Sequence, residues 1–427
     1  MFLLLLHIIL VYLIFSRTQW LQLDGISKGL VPSILLLKVI GGYFIAHYYL
    51  ETYKGGDMQG YLSDANQFYV LFTQNPVQFI KLIIGLHVQV ESIYEFYSHL
   101  TSWFTSGYSN QYNDARSVIR FHALIRLFSD GNAWIHLLWS NVFCVMGMIA
   151  LIKFISHQRI QSGTFYLLAL LLLFIPNVFI WSSAIMKEPL LIFAMGMTLR
   201  SFQLWNDERN FVNFFKFLIF VFCFLLVKSF WMLAFLPGML IWALLPQMKK
   251  SLMMITLSYV VSLLIVLLVG EVMLSYNLPD LLFGQQRNMW RFVVYMNSGS
   301  LIHPLSFAPN PFSFLLHIPE AFCYGMFQPW PWQLAKWFYF PLSLENFIFP
   351  VMVAFSIYKF KRNGNRISPE MVIALIAGLV IVIISAFTTP VIGSLIRYRM
   401  PGLLLMVLSA LAYLYSRNVN STSNPSN

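Results

Sequence analysis

Two aspartates stand just beyond an apolar segment, at a spacing that could serve catalysis. Asp57 and Asp64 are seven residues apart in the stretch GGDMQGYLSDANQFY. On a helix they would share a face, about 10 Å apart along the axis. A carboxylate placed there could act as a general base that takes a proton from a hydroxyl group. Both are therefore candidate catalytic residues, and the structural alternative for each is a solvated loop residue or a helix cap.

A second group consists of basic residues at the ends of other apolar runs. Lys187 and Glu188 are adjacent in WSSAIMKEPLLIFAMG, and Arg397 and Arg399 occur in GSLIRYRMPGLLL. Basic side chains at such an edge suit a phosphate, which Arg can bind with two parallel hydrogen bonds. We treat Lys187, Arg397 and Arg399 as candidate phosphate ligands, supported by Glu188 and Lys228. The structural alternative for Lys187 and Glu188 is an anchor at the membrane interface with a local ion pair. For the arginines it is snorkelling, in which the long side chain carries its charged end to the interface.

The composition defines the class of protein. Of the 427 residues, 59% are hydrophobic and only 10% are charged, whereas soluble domains carry about 25% charged residues. Apolar runs long enough to cross a bilayer recur along the whole chain, which predicts an all-α polytopic membrane protein. We predict about eleven transmembrane helices, over residues 2–16, 30–50, 133–155, 163–181, 184–204, 211–228, 231–247, 251–270, 338–360, 368–388 and 401–416.

The distribution of Lys and Arg predicts an orientation. Short basic loops alternate with the remaining connections, and basic loops tend to stay in the cytoplasm. This places the N-terminus outside and the C-terminus inside, with two long external segments, 51–132 and 271–337, that contain interfacial helices. Residues 1–417 are expected to form a single transmembrane domain whose first helix is retained, and 418–427 a disordered tail. The net charge of +11 records this topology, so no nucleic-acid partner is expected.

The three cysteines have no paired spacing, which predicts neither a metal site nor a disulfide framework.

Several short stretches resemble a known family. DANQFY resembles part of the first external loop of the GT-C superfamily of membrane glycosyltransferases. IPNVFIWSSAIMKEPLLIFAMGM, IPEAFCYGMFQPWPW and IRYRMPGLLLMVLSALAYL resemble segments of bacterial members of that group, including relatives of O-mannosyltransferases. The resemblance implies a bacterial cytoplasmic membrane enzyme that uses a lipid-linked sugar donor and a glycan, lipid or protein acceptor. It implies that Asp57 or Asp64 is the base, that Lys187, Arg397 and Arg399 bind the donor phosphate, and it leaves the need for a divalent cation open.

Two alternatives remain open at the level of the sequence. A polysaccharide polymerase would also use lipid-linked repeat units, and it would carry an Arg-rich large loop; the segment 271–337 contains only Arg287 and Arg291. A transporter or flippase of lipid-linked glycans would need polar residues along a path across the membrane. The only basic residues that look buried inside the predicted spans are Lys38 and Lys216.

Overall fold

The fold is that of a computed structural model, which describes residues 2–53, 56–86, 93–103, 114–157, 160–244, 256–265, 277–295, 297, 299–333, 340–363 and 368–415. Within these ranges the chain is helical and has no β-strand, apart from an isolated bridge between Leu301 and Val391. The predicted tail 418–427 and parts of both predicted external segments lie outside the described residues.

The helices follow the apolar runs of the sequence closely. Every predicted span coincides with a helix over all or part of its length. In chain order they are α1 (Phe2–Arg17), α2 (Leu30–His47), α3 (Asp57–Gln74), α4 (Pro76–Ile83), α5 (Tyr94–Ser98), α6 (Asp114–Ser129), α7 (Ala133–Ser156), α8 (Gly163–Leu171), α9 (Pro176–Ser182), α10 (Lys187–Glu208), α11 (Phe211–Leu244), α12 (Thr256–Ile265), α13 (Leu278–Tyr295), α14 (Pro311–Leu316), α15 (Ile318–Phe327), α16 (Phe340–Asn363), α17 (Pro369–Thr388) and α18 (Ile392–Tyr415).

The described helices include fewer membrane-spanning candidates than predicted. Five are long and apolar enough to cross a membrane: Leu30–Glu51, Ala133–Ser156, Phe211–Ala243, Pro369–Thr388 and Ile392–Tyr415. A sixth arises if Gly163–Phe174 and Pro176–Ser182, bent by 67°, are one broken span. The count of about eleven is thus not confirmed. The described apolar stretches of α1 (Phe2–Arg17), α12 (Thr256–Ile265) and α16 (Phe340–Ser356) are only 10–17 residues long. Polar residues such as Gln203 and Asn206 dilute the second half of α10.

The chain divides into two compact units, which are described separately. Unit 1 comprises Met1–Leu151 and Phe179–Ser229. In it, a core of Ala46, Met58, Leu137 and residues 184–186 joins α2, α3 and α7 to the turn before α10. Helices α7 and α10 touch backbone to backbone, because a methyl group on Gly147 would lie 2.4 Å from the Ile192 carbonyl oxygen. Small residues that allow such approaches are typical of packing between membrane helices.

Unit 2 comprises Ile152–Val178 and Phe230–Asn427. Helices α17 and α18 pack closely at Gly378 and Gly402, where a methyl group on either would lie 2.5 Å from the carbonyl oxygen of the other. A core that includes Met326, Phe349 and Val382 joins α15, α16 and α17 to α18. This unit therefore holds Arg397 and Arg399 on a helix that is mostly buried.

Two local expectations need correction, and a third agrees in position. The break predicted between the spans 211–228 and 231–247 lies at Lys228, a single non-helical residue (φ −159°, ψ 81°) within a long helical stretch. The last span was predicted to begin at residue 401, but the helix begins at Ile392 and contains Pro401. A helix can accept an interior proline at the loss of one hydrogen bond. Lys216, which looked buried from the sequence, is exposed, whereas Lys38 is fully buried.

Candidate functional site

One carboxylate and two lysines meet in unit 1. Oδ2 of Asp114 accepts hydrogen bonds from Nζ of Lys187 at 2.6 Å and from Nζ of Lys228 at 3.0 Å. The side chains of the two lysines are 9% and 18% exposed, and that of Asp114 is 28% exposed. The formal charge of the three groups is +1. The cluster can therefore attract an anion while the carboxylate keeps the two ammonium groups together.

The local backbone explains why these side chains are available. Asp114 lies in the first turn of α6, where a negative charge favours the positive end of the helix dipole. Lys187 begins α10, where its own charge opposes the dipole, so that a nearby carboxylate offsets an unfavourable position. Lys228 lies at the non-helical residue of α11. All three residues thus occupy ends or breaks of helices.

The electrostatics of Asp114 show which role it can have. Burial would raise the pKa of its carboxyl group, but the charges and hydrogen bonds of Lys187 and Lys228 outweigh burial and hold the pKa well below its usual range. A general base works best with a pKa near the operating pH. Asp114 is therefore a poor proton acceptor at neutral pH, and its carboxylate is the counter-charge of the two lysines.

Polar contacts fix the turn that precedes Lys187. Nζ of Lys38 donates to Oγ of Ser183 at 2.6 Å, and Nδ2 of Asn141 donates to the Ser183 carbonyl oxygen at 2.9 Å. Lys38, Ser183 and Asn141 are fully buried. Three elements, α2, α7 and the turn, are thereby tied together four residues before Lys187. From the sequence, Lys38 was predicted only to be a buried basic residue within a span.

The two predicted catalytic aspartates occupy different environments on α3. Asp57 is exposed and begins the helix. Asp64 is fully buried, and its carboxylate accepts four hydrogen bonds from the segment 101–103: from the backbone N of Thr101 (2.8 Å), Ser102 (2.9 Å) and Trp103 (2.8 Å) and from the Thr101 hydroxyl (3.0 Å). Asp64 is interior to α3, so the expected role of a cap at a helix start does not apply to it. Its contacts give it a structural role, and Asp57 is the better placed candidate base.

The two predicted arginines lie in unit 2. Arg399 is fully buried and donates to the carbonyl oxygens of Gly325 (2.6 Å) and Met326 (3.3 Å) and to Oδ1 of Asn346 (2.5 Å). These bonds tie α18 to the end of α15 and to α16. Met400, the residue before Pro401, is helical. Arg397 is buried as well, two residues away on the same helix.

The structure thus brings Lys187 and Lys228 together. Their shared partner, Asp114, was missed. One signal was present: Asp114 opens the run ARSVIRFHALIRLF, on the same predicted side as Lys187 and Lys228. Glu188, the predicted partner of Lys187, is buried in the first turn of α10. The joint action of Arg397 and Arg399 with Lys187 remains a prediction.

No group of three or more His, Cys, Asp or Glu that could hold a metal ion occurs among the described residues. Comparison with protein-family models, with curated proteins and with solved structures found no match to this chain. Its class therefore rests on its own features: it is an all-helical protein with several apolar helices of membrane-spanning length, as expected of a multi-pass membrane protein.

Proposed function

We propose that the protein is a membrane glycosyltransferase of the GT-C type. It transfers a sugar from a polyprenyl-phosphate-linked donor to an envelope glycan, lipid or protein acceptor on the non-cytoplasmic face. The observation that carries the proposal is the pairing of Lys187 with Lys228 around Asp114, at distances of 2.6 and 3.0 Å. Two lysines held together at helix ends suit a phosphate that gains negative charge as it leaves.

The reaction is a direct displacement. The acceptor hydroxyl oxygen attacks the anomeric carbon of the donor sugar, and the bond from that carbon to the phosphate oxygen breaks. The hydroxyl proton passes to a carboxylate, for which Asp57 is the exposed candidate. The electron pair stays on the polyprenyl phosphate, whose charge Lys187 and Lys228 stabilise, with Arg397 as a further candidate ligand.

The topology belongs to the same proposal. The chain crosses the bacterial cytoplasmic membrane about eleven times, with its N-terminus outside and its C-terminus in the cytoplasm. Helices whose described apolar stretches are shorter, such as α1, α12 and α16, then supply the crossings beyond the five or six long apolar candidates. The basic loops support this orientation, and it puts Asp57 and Lys187 on the same, outer side.

A transfer assay tests the proposal. Purified protein in phosphatidylcholine vesicles is incubated with radiolabelled polyprenyl-phosphate sugars and a cell-envelope extract that supplies the acceptor, and the release of polyprenyl phosphate is measured. Lys228→Met should abolish release, whereas Lys216→Met, which removes an exposed lysine from the same helix, should not. Equal release by both variants, at equal amounts of folded protein, would remove the lysine pair from the reaction.

A transporter of lipid-linked glycans is the second candidate, because Lys38 is fully buried within the candidate span Leu30–Glu51 and hydrogen-bonds to Ser183. Charged residues inside a membrane often mark a transport path. The same vesicles separate the two functions. Movement of intact labelled donor between leaflets without release of polyprenyl phosphate would favour transport.

A further inference from the structure

Two buried histidines join α6 to α7 in unit 1. Nδ1 of His122 on α6 lies 3.1 Å from Nδ1 of His136 on α7, and Nε2 of His136 lies 2.9 Å from the hydroxyl oxygen of Ser129. All three residues are fully buried. A hydrogen bond between the two Nδ1 atoms needs one nitrogen that donates and one that accepts. It therefore cannot form once both rings are protonated.

The histidine pair lies inside a helical hairpin with aromatic packing. Helices α6 and α7 are joined by residues 130–132 alone. Across the hairpin the rings of Phe121 and Phe143 have their centroids 5.0 Å apart, and those of Phe128 and Trp139 have theirs 6.0 Å apart. A charge placed between these helices would be buried among apolar rings, which is costly unless a partner compensates it.

A protonated His122 would have no acceptor for its second N–H group. Both ring nitrogens of a charged histidine carry a hydrogen. Nε2 of His122 is buried, and no described residue forms a hydrogen bond with it. An unmade hydrogen bond costs more when the buried group is charged. Burial, and after it the charge of His136, accordingly lowers the pKa of His122 well below its ordinary value.

The charged groups around the pair do not compensate a positive charge on it. The carboxylates of α3, of α6 and of the first turn of α10 are Asp57, Asp64, Asp114 and Glu188. None of these described carboxylates is hydrogen-bonded or ion-paired to either ring. Basic groups can only oppose a further positive charge, and they include Arg126 on α6, whose charge acts on His136, with Lys38 on α2, Lys187 on α10 and the titratable His7 on α1.

We propose that His122 and His136 form a pH-sensitive switch between α6 and α7, which is closed while both rings are neutral and opens when they are protonated. The closed contact is fully stable above the ordinary histidine pKa of about 6.5 and is lost as the pH falls below it. Asp114 begins the same helix, so the opening of α6 also draws this carboxylate away from Lys187 and Lys228. The switch does not depend on the proposed glycosyl transfer.

Hydrogen exchange of the backbone amides tests the switch. The protection of α6 is measured by mass spectrometry at pH 7.5 and 5.5 in neutral detergent, and it is corrected for the intrinsic effect of pH on exchange. Each histidine that binds a proton only in the open state raises the opening constant about tenfold over this range. Wild-type α6 should therefore lose protection about tenfold if one ring responds, and about a hundredfold if both do. Helix α18, which has no histidine, should keep its protection.

A double variant removes both titrations and keeps hydrogen-bonding groups in place. In His122→Asn/His136→Gln the two amides stand near the former Nδ1 and Nε2 positions, and the protection of α6 should change less than about twofold between the two pH values. The single variant His136→Gln, which keeps an amide for Ser129, should lose less protection than wild type and serves if the double variant does not fold. The matched control is His303→Gln, which removes an exposed histidine and should respond as wild type.

A metal ion held by both imidazoles would respond to acid in the same direction, because protonation releases it. The exchange is therefore repeated on protein purified with EDTA, and the switch predicts the same response. A response that disappears with EDTA would assign it to a metal and overturn the proposal. It is also overturned if wild-type α6 keeps its protection at pH 5.5, or if the double variant loses as much protection as wild type.

Discussion

Oδ2 of Asp114 lies 2.6 Å from Nζ of Lys187, although 73 positions separate the two residues in the chain. Lys228 shares the same oxygen at 3.0 Å. The arrangement joins α6, α10 and the break in α11 through a single carboxylate oxygen. It has two consequences, because the carboxylate both stabilises the lysines and competes with any other anion for them.

Replacement of Asp114 should separate those two effects. Asp114→Asn leaves two lysines without their counter-charge, and we expect a loss of roughly 1–3 kcal/mol, between the values for exposed and for buried pairs. The same change should lower the half-saturating concentration of a phosphate-bearing donor, because a competitor is gone. Thermal unfolding and donor titration measure the two effects. A weaker donor affinity in folded Asp114→Asn would show that the carboxylate is needed to orient the lysines.

The contribution of Asp114 should depend on pH in a defined direction. Its pKa in the folded protein is below the ordinary value of about 4 that applies in the unfolded chain. The stability it contributes is therefore fully present above that value and is lost as the pH falls below it. The difference in thermal midpoint between wild type and Asp114→Asn should be constant from about pH 5 to 7 and shrink below about pH 4. A difference that grows on acidification would contradict the assignment.

The two aspartates of α3 should respond differently to the same change. Asp64→Asn places an amide group against backbone N–H donors, and we expect a loss of roughly 1–3 kcal/mol. Asp57→Asn should lower stability less than Asp64→Asn and reduce transfer about a hundredfold or more, if Asp57 is the base. The stability to thermal unfolding and the transfer rate are measured for both variants to test this difference. Full transfer activity in Asp57→Asn would remove it from the catalytic residues.

The two arginines of α18 should also differ. Arg399→Lys cannot reproduce the bonds to Gly325, Met326 and Asn346, so folded yield and thermal midpoint should fall. Arg397→Met is the comparison, and it should weaken donor affinity in protein that still folds. Yield, thermal midpoint and donor titration are measured for both. Normal stability of Arg399→Lys would contradict a structural role for Arg399.

The predicted orientation can be tested with one added cysteine in a Cys223→Ser/Cys323→Ser background, in which the remaining Cys144 is buried. Gly299 is exposed and a side chain there would meet nothing within 4 Å, so Gly299→Cys should fold normally. It should react with an impermeant thiol reagent in intact cells, whereas Asp207→Cys, in a predicted cytoplasmic loop, should react only after permeabilisation. The reverse pattern would invert the topology.

The sequence by itself determined the helices. Apolar runs bounded by charged or polar residues specify where a helix can be buried in lipid or protein, and the predicted spans agree with helices such as α7 (Ala133–Ser156) and α17 (Pro369–Thr388). Composition likewise determined the class. Helix starts were less visible, because Pro401, where the last span was predicted to begin, lies inside α18.

Only the tertiary structure decided what the charged residues do. Asp64 and Asp57 look alike in the sequence, but one is enclosed by N–H groups of residues 101–103 and the other is exposed. Asp114 was missed because its partners are 73 and 114 positions away. Helix formation depends on neighbours within a few residues, whereas hydrogen bonds and ion pairs of buried charges depend on which distant segments pack together, and no local pattern records that.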